Sequence, residues 1–182
     1  MDLKFRTVYA AYCNGTHHKL AMDALLHLKS DEARNWRDMF VYHAKLYTEG
    51  SKVPDKEFKD FRNHVLHVRD NYWGGAPKKC SEWYGKLVEE LRQQNWENAV
   101  YAAGVLSHYY TDPIQPFHTG QTDAENSIHR AAEWSISKSY GEIKSLIPSE
   151  ASHNFEVDFS NTDWLPEFVR EGARFSNQYY ES

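Results

Sequence analysis

The sequence predicts an all-α fold, a single compact multi-helix domain over residues 1–182, and three observations carry that prediction. Apolar residues recur at spacings of three and four through most of the chain, as on amphipathic helices, while strand-like alternation is scarce. A length of 182 residues suits one domain, large enough to bury a core without disulfides. The 6 Trp, 12 Tyr and 9 Phe coexist with a mean hydropathy of -0.77, so the large side chains must sit on amphipathic elements.

From Thr16 a helix is expected through Leu20, Ala24, Leu25 and Leu28, which share one face. A second, from about Asp31 to Tyr47, holds Trp36, Phe40, Ala44 and Tyr47 in register, with Gly50 as a natural stop. Pro54 opens a third past Phe58, Phe61, Val65 and Val68, and the stretch Tyr72-Trp73-Gly74-Gly75-Ala76-Pro77 breaks it. Two more helices are expected from Lys79 to Gln94 and from Glu97 to Tyr110. Asp112 precedes Pro113 and is biased out of the helical region, and a structured loop follows to Gly120. Thr122 and Glu125 match a capping box that starts a helix running to about Tyr140. The pattern weakens from Gly141 to Asn161, and a last helix runs from Trp164 to Tyr180 with Phe168, Phe175 and Tyr179 as apolar contacts. No repeat, low-complexity run or linker divides the chain.

A formal charge of -5 argues against a polyanion binder that works through a general basic surface. No transmembrane segment is expected, because no stretch approaches the roughly 20 apolar residues a span requires. Cys13 and Cys80 are too few for a disulfide framework and form no Cys-x-x-Cys pair. The N-terminus reads as no signal peptide, since Thr7 to Cys13 is a short, interrupted apolar run; a cytoplasmic location is slightly favoured.

The 10 His stand out. His108 and Asp112, four apart on an expected helix, project from one face. His118 follows after a loop stiffened by Pro113 and Pro116, and His129 and Glu133 repeat the four-residue spacing, giving His-x3-Asp-x5-His-x10-His-x3-Glu. One such pair is usually a surface hydrogen bond, but five residues in two helices and one loop are much harder to dismiss. Their surroundings, Ala102-Ala103-Gly104-Val105-Leu106 and Ile128, Ala131, Ala132, are small or apolar, so unpaired ionised groups there would be costly and metal coordination removes the difficulty. Imidazole nitrogen and carboxylate oxygen suit zinc, and an open position at such a site holds water for hydrolysis.

The run Ala103-Gly104-Val105-Leu106-Ser107-His108-Tyr109-Tyr110-Thr111-Asp112-Pro113-Ile114-Gln115-Pro116-Phe117-His118, followed by His129-Arg130-Ala131-Ala132-Glu133, resembles the signature of zinc-dependent phospholipases C. The zinc-dependent single-strand nucleases share that fold and a similar ligand plan. Gly15-Thr16-His17 is similar to the segment of the family's first histidine ligand, and Gly50-Ser51-Lys52-Val53-Pro54-Asp55 to that of its first aspartate. The next histidine matches His67, twelve beyond Asp55 and opening His67-Val68-Arg69-Asp70 like the family's His-x-x-Asp, with His64 as its competitor.

The resemblance implies a buried multi-zinc cluster of two or three ions. Asp55, His67, His108 and Asp112 would hold the first, and His118, His129 and Glu133 the second. His17, with Asp112 as a bridge, would belong to a third, which in the family also takes an N-terminal Trp; no Trp precedes His17 here. The implied activity is hydrolysis of phosphate esters, most of all phospholipase C-like phosphodiester cleavage by a metal-activated water, with Asp55 orienting that water or accepting its proton. A phospholipid is the favoured partner over single-stranded nucleic acid. The competing readings are a single-strand nuclease or nucleotidase, and a helical metal-binding module without catalysis. Other helical metal hydrolases fit less well: the chain has no His-Asp dipeptide and no His-Glu-x-x-His, and Glu150-Ala151-Ser152-His153 offers only one Glu-x-x-His.

His18, His27, His43 and His153 lack spacing partners and read as surface or packing residues. Trp73, Trp134 and Tyr109 read either as core or as lining of a substrate cleft, and Lys78, Lys79 and Arg130 as solvated charges or phosphate contacts.

Overall fold

The computed structural model describes residues 2–147 and 156–180, with the side chains of 123–126 left undescribed. His153 and the Glu150-to-His153 motif therefore lie outside the described residues, as does the Glu125 side chain of the expected capping box.

Asp2 accepts a hydrogen bond from Phe5 N (2.8 Å) and so caps α1 (Leu3–Tyr12). No helix is expected there from the sequence pattern, because Phe5 is the one side chain the helix buries. α2 (Thr16–Ala24) tightens into a 3-10 turn at Leu25–His27 instead of continuing to Leu28. Ser30 caps α3 (Asp31–Tyr42), and α4 (Ala44–Gly50) follows after a break at His43.

The helix expected from Pro54 past Val65 does not form. A π-helical turn, Pro54–Phe58, ends at Lys59 in the left-handed region (φ 51°), and a 3-10 turn, Phe61–Asn63, replaces the continuation. Beyond it Leu66 N and Val68 N donate to His118 O and Thr119 O (2.9 Å each), so the chain runs extended beside that loop. These backbone bonds satisfy donors that a helix would have satisfied internally.

Pro77 opens rather than blocks α5 (Ala76–Arg92), because its missing N–H falls in the first turn, where no helical acceptor is lost. α6 (Trp96–Thr111) is the axis of the molecule. It packs along α4 and α5 and buries Ala99, Val100, Ala102, Ala103, Val105 and Tyr109. One apolar cluster joins it to α1–α4 through Phe5, Met22, Val41 and Tyr47. α7 (Asp123–Leu146) extends beyond the expected stop at Tyr140. α8 (Trp164–Asn177) completes a second apolar cluster: its Val169 and Ala173 pack with Cys80, Val105 and Tyr109. Each fully buried Val or Met contributes about 1.5–3 kcal/mol.

The fold is all-α: among the described residues the extended pairing is limited to an isolated bridge between His67 and Trp73. No described helix is long and apolar enough to cross a membrane.

Candidate metal centre

The C-terminal end of α6 supplies His108 and Asp112 one helical turn apart. Asp112 keeps helical dihedrals (φ -63°, ψ -56°) despite Pro113, because its N–H still donates to His108 O (3.0 Å). The π-helical turn adds Asp55, and His64 follows the 3-10 turn after Lys59.

Four side chains thus converge: Asp55, His64, His108 and Asp112. His64 Nδ1 lies 3.0 Å from Asp112 Oδ2, 3.4 Å from Asp55 Oδ1 and 3.1 Å from His108 Nε2. His108 Nε2 lies 3.1 Å from Asp112 Oδ2 and 3.6 Å from Asp55 Oδ1. A tetrahedral zinc ion with bonds of about 2.0–2.1 Å sets its ligand atoms roughly 3.3 Å apart. These five separations scatter around that edge length, so the donor set fits zinc in chemistry and in size.

A second group stands beside it. His118, from the 3-10 turn Pro116–His118, places Nε2 3.2 Å from His129 Nε2 on α7, and Glu133 Oε1 lies 3.1 Å from His129 Nε2 and 3.8 Å from His118 Nε2. His17 on α2 reaches the other oxygen of Asp112, with Nε2 3.2 Å from Oδ1, and its ring lies 4.2 Å from that of His108. Asp112 therefore faces two histidines with one oxygen and a third histidine with the other.

Hydrogen bonding orients three of these rings. His108 Nδ1 donates to Ser51 O (2.9 Å), His118 Nδ1 to His64 O (3.1 Å) and His64 Nε2 to Asp60 Oδ1 (3.1 Å). In each ring the other nitrogen is left to face the cluster, the arrangement that fixes the tautomer of metal-binding histidines. Without a cation the carboxylates draw protons to the imidazoles. Burial opposes a charge on His108 and His118, yet Asp112 and Glu133 respectively raise their pKa values. Burial would raise Asp112, but hydrogen-bond contacts with His108 and His64 hold it well below the usual carboxylate range. Burial pulls His17 down to about 4 against the pull of Asp112, keeping that ring neutral.

His67, the expected ligand, is not brought to the cluster. The extended pairing of 66–68 turns it toward Trp73, whose carbonyl accepts its N–H (2.8 Å), and its ring meets Asp70 (Nδ1 to Oδ2, 3.4 Å). The His-x-x-Asp spacing thus makes a local pair, and His64 takes the place facing Asp55. Tyr109 is fully buried rather than cleft-lining, and Trp134 projects into solvent at 65 % exposure; Trp73 does line the cleft. Lys79 pairs with Glu82 (2.8 Å), whereas Arg130 lines the cleft.

Asp60 stands four residues before His64, but no helix spans the two to turn that spacing into a shared face, and the sequence does not single it out. Its carboxylate accepts both from Tyr109 Oη (2.9 and 2.8 Å) and from Asn63 Nδ2 (2.8 Å), so it is a fixed acceptor for His64. Burial opposes its ionisation, but the hydrogen bonds from Asn63, Tyr109 and His64 lower its pKa. Asp60→Ala is expected to weaken zinc binding by roughly 10–100-fold, the usual cost of losing such a partner. Asp60→Asn, which keeps an acceptor oxygen, should fall between. Zinc titration of the three folded proteins checks this, and equal affinities would remove Asp60 from the account.

The cluster forms part of the wall of a cleft of about 1510 Å³. α2 contributes Leu20 to that cleft, α7 contributes Ile136 and Ile143, with Ile147 just past its end, and the segment after Asp60 contributes Phe61, Arg62 and Trp73. Latches hold α7 against α2: Lys144 Nζ meets Asp23 Oδ1 (2.6 Å), Tyr140 Oη donates to Asp23 Oδ2 (2.8 Å) and Lys19 Nζ donates to Ser137 O (3.2 Å).

An all-helical scaffold that gathers histidine and carboxylate donors at zinc spacing on the wall of an open cleft defines a zinc-dependent class of protein. The chain belongs to the zinc dependent phospholipase C family, whose model matches residues 16–174, and that membership implies a hydrolase. A comparison with curated proteins gives no match.

Proposed function

We infer that this protein hydrolyses phosphodiesters and that its substrate is a phospholipid. Asp55, His64, His108 and Asp112 hold one zinc ion, His118, His129 and Glu133 a second, and His17 with Asp112 Oδ1 contributes to a third. The observation that supports this reading best is the pairing of a four-donor set at tetrahedral separations with a three-donor set on the wall of the same cleft.

Zinc bound here would supply positive charge for the phosphoryl oxygens and acidify a coordinated water. The chain's own part is positioning. Asp112 joins the clusters, Ser51 O, His64 O and Asp60 orient the rings, and Asp55, with its side chain 45 % exposed at the cleft, is placed to orient the attacking water or take its proton. Phospholipid is the favoured substrate because Leu20, Ile136, Ile143 and Ile147 offer an apolar lining suited to acyl chains.

Turnover of a chromogenic phosphodiester by the zinc-loaded protein, its loss on chelation and its return with zinc are the expected results. A zinc-replete protein that turns over neither that diester, nor phospholipid, nor single-stranded DNA would leave a metal-binding module without catalysis.

A further inference from the structure

We propose that this site selects phosphodiesters of net negative charge and discriminates against a quaternary-ammonium headgroup; the inference rests on the phosphodiesterase reading and names the substrate class within it. It comes from the charges on the cleft wall once the metal-type cluster is set aside. Among the described residues the carboxylates of the wall are Asp23, Asp55, Asp112 and Glu133. The last three face the histidines, and Asp23 is occupied by Lys144 (2.6 Å) and Tyr140 (2.8 Å). No described carboxylate of the wall is left to receive a cationic headgroup.

The cations show the opposite balance. Lys52, Arg62 and Arg130 line the same cleft, and none of them has a carboxylate partner among the described residues. Divalent ions in the clusters would add charge of the same sign. The other means of holding a quaternary ammonium is the face of an electron-rich ring, and at Trp73 and Tyr140, the Trp and Tyr rings of the cleft among the described residues, the protein's own cations take that role. The Arg62 guanidinium carbon lies 5.5 Å from the centre of the Trp73 ring, and Lys19 Nζ lies 5.2 Å from that of Tyr140. A trimethylammonium brought to Trp73 would displace or oppose Arg62, whereas a headgroup without a cation leaves Arg62 and Lys52 free to contact phosphoryl or hydroxyl oxygens.

The test uses the zinc-loaded protein and two probes that share a phosphate and differ in the cation. By calorimetry sn-glycerol 3-phosphate is expected to bind about tenfold or more tightly than phosphocholine, as like-charge opposition at a binding site predicts. Rates on short-chain phosphatidylglycerol and phosphatidylcholine, both below their micelle concentrations so that surface charge plays no part, should show the same preference in kcat/KM. Arg62→Gln and Lys52→Gln together should narrow both ratios to about threefold or less. Equal or reversed affinities, no binding of either probe, or a preference that survives the double substitution overturns the proposal. Preferential binding of the anionic probe without turnover of either lipid would sink the phosphodiesterase reading and leave the selectivity standing.

Discussion

Asp112→Asn is expected to cost more activity than a change at any histidine outside the clusters, because Asp112 is the group its members share. Its Oδ2 faces His64 and His108 at 3.0 and 3.1 Å, and its Oδ1 faces His17 at 3.2 Å. The residue is 6 % exposed, so solvent cannot replace the lost charge. An amide presents NH2 in place of one oxygen and removes a negative charge from a site meant for divalent cations, so both retention of metal and acidification of bound water should suffer. Losing a partner one step removed from a metal costs roughly 10–100-fold; losing the shared carboxylate should reduce turnover of a chromogenic diester by at least about 100-fold. His43→Ala is the reference change. That ring sits at the junction of α3 and α4 against Tyr42, outside the cleft, and its removal should leave turnover unchanged. Zinc content and helical circular dichroism must be measured alongside. A folded Asp112→Asn protein with full zinc content and an unchanged rate would show that this carboxylate does not join the clusters.

Where a helix was legible, so was the part of the centre it carries. His108 with Asp112, and His129 with Glu133, are one turn apart, and the period of a helix converts that spacing into a shared face. The stretch after Asp55 offered no such ruler. A π-helical turn, a left-handed Lys59 and a 3-10 turn follow one another, so a twelve-residue separation taken from a resemblance carries no geometry of its own. What places His64 is tertiary: Asp60, held by buried Tyr109 on α6, pulls one side of the ring, while the backbone bonds of 66–68 to 118–119 turn His67 away. The orienting acceptors were hidden for a related reason. Two of the three are backbone carbonyls, of Ser51 and His64, and a carbonyl has no signature in a sequence.

Glycine was read less well than histidine, and again the surroundings decide. Gly141 looked like the end of a helix, yet α7 runs through it to Leu146, and a Cβ there would meet nothing within 4 Å. A helix with its outer side in solvent tolerates such a residue for about 1 kcal/mol. Gly50 looked like a simple stop for α4. Its stronger constraint is packing, since a Cβ on Gly50 would stand 2.5 Å from Tyr101 O and 3.2 Å from Gly104 Cα on α6.

That crossing makes Gly104→Ala the second large effect expected. A Cβ on Gly104 would collide with Tyr47 O and stand 3.0 Å from Ser51 N and 3.1 Å from Gly50 Cα. The obstructing atoms are backbone, so no rotamer change can relieve them and α4 must move off α6. Overpacking of this kind costs about 1–3 kcal/mol, and a clash with main chain places it at the upper end. For a domain of this length about 3 kcal/mol lowers Tm by roughly 6–12 °C. The consequence reaches the metal centre, because Ser51, just past α4, supplies the carbonyl that orients His108, and Asp55 follows four residues later. Moving α4 carries both away from His108, so zinc affinity should fall together with stability. Gly141→Ala is the control, expected to raise stability by up to about 1 kcal/mol and leave zinc binding alone. Thermal melts and zinc titrations of the two variants decide the matter. A Gly104→Ala protein with unchanged Tm and unchanged zinc affinity would mean that the close approach of α4 to α6 does not hold Ser51 and Asp55 in place.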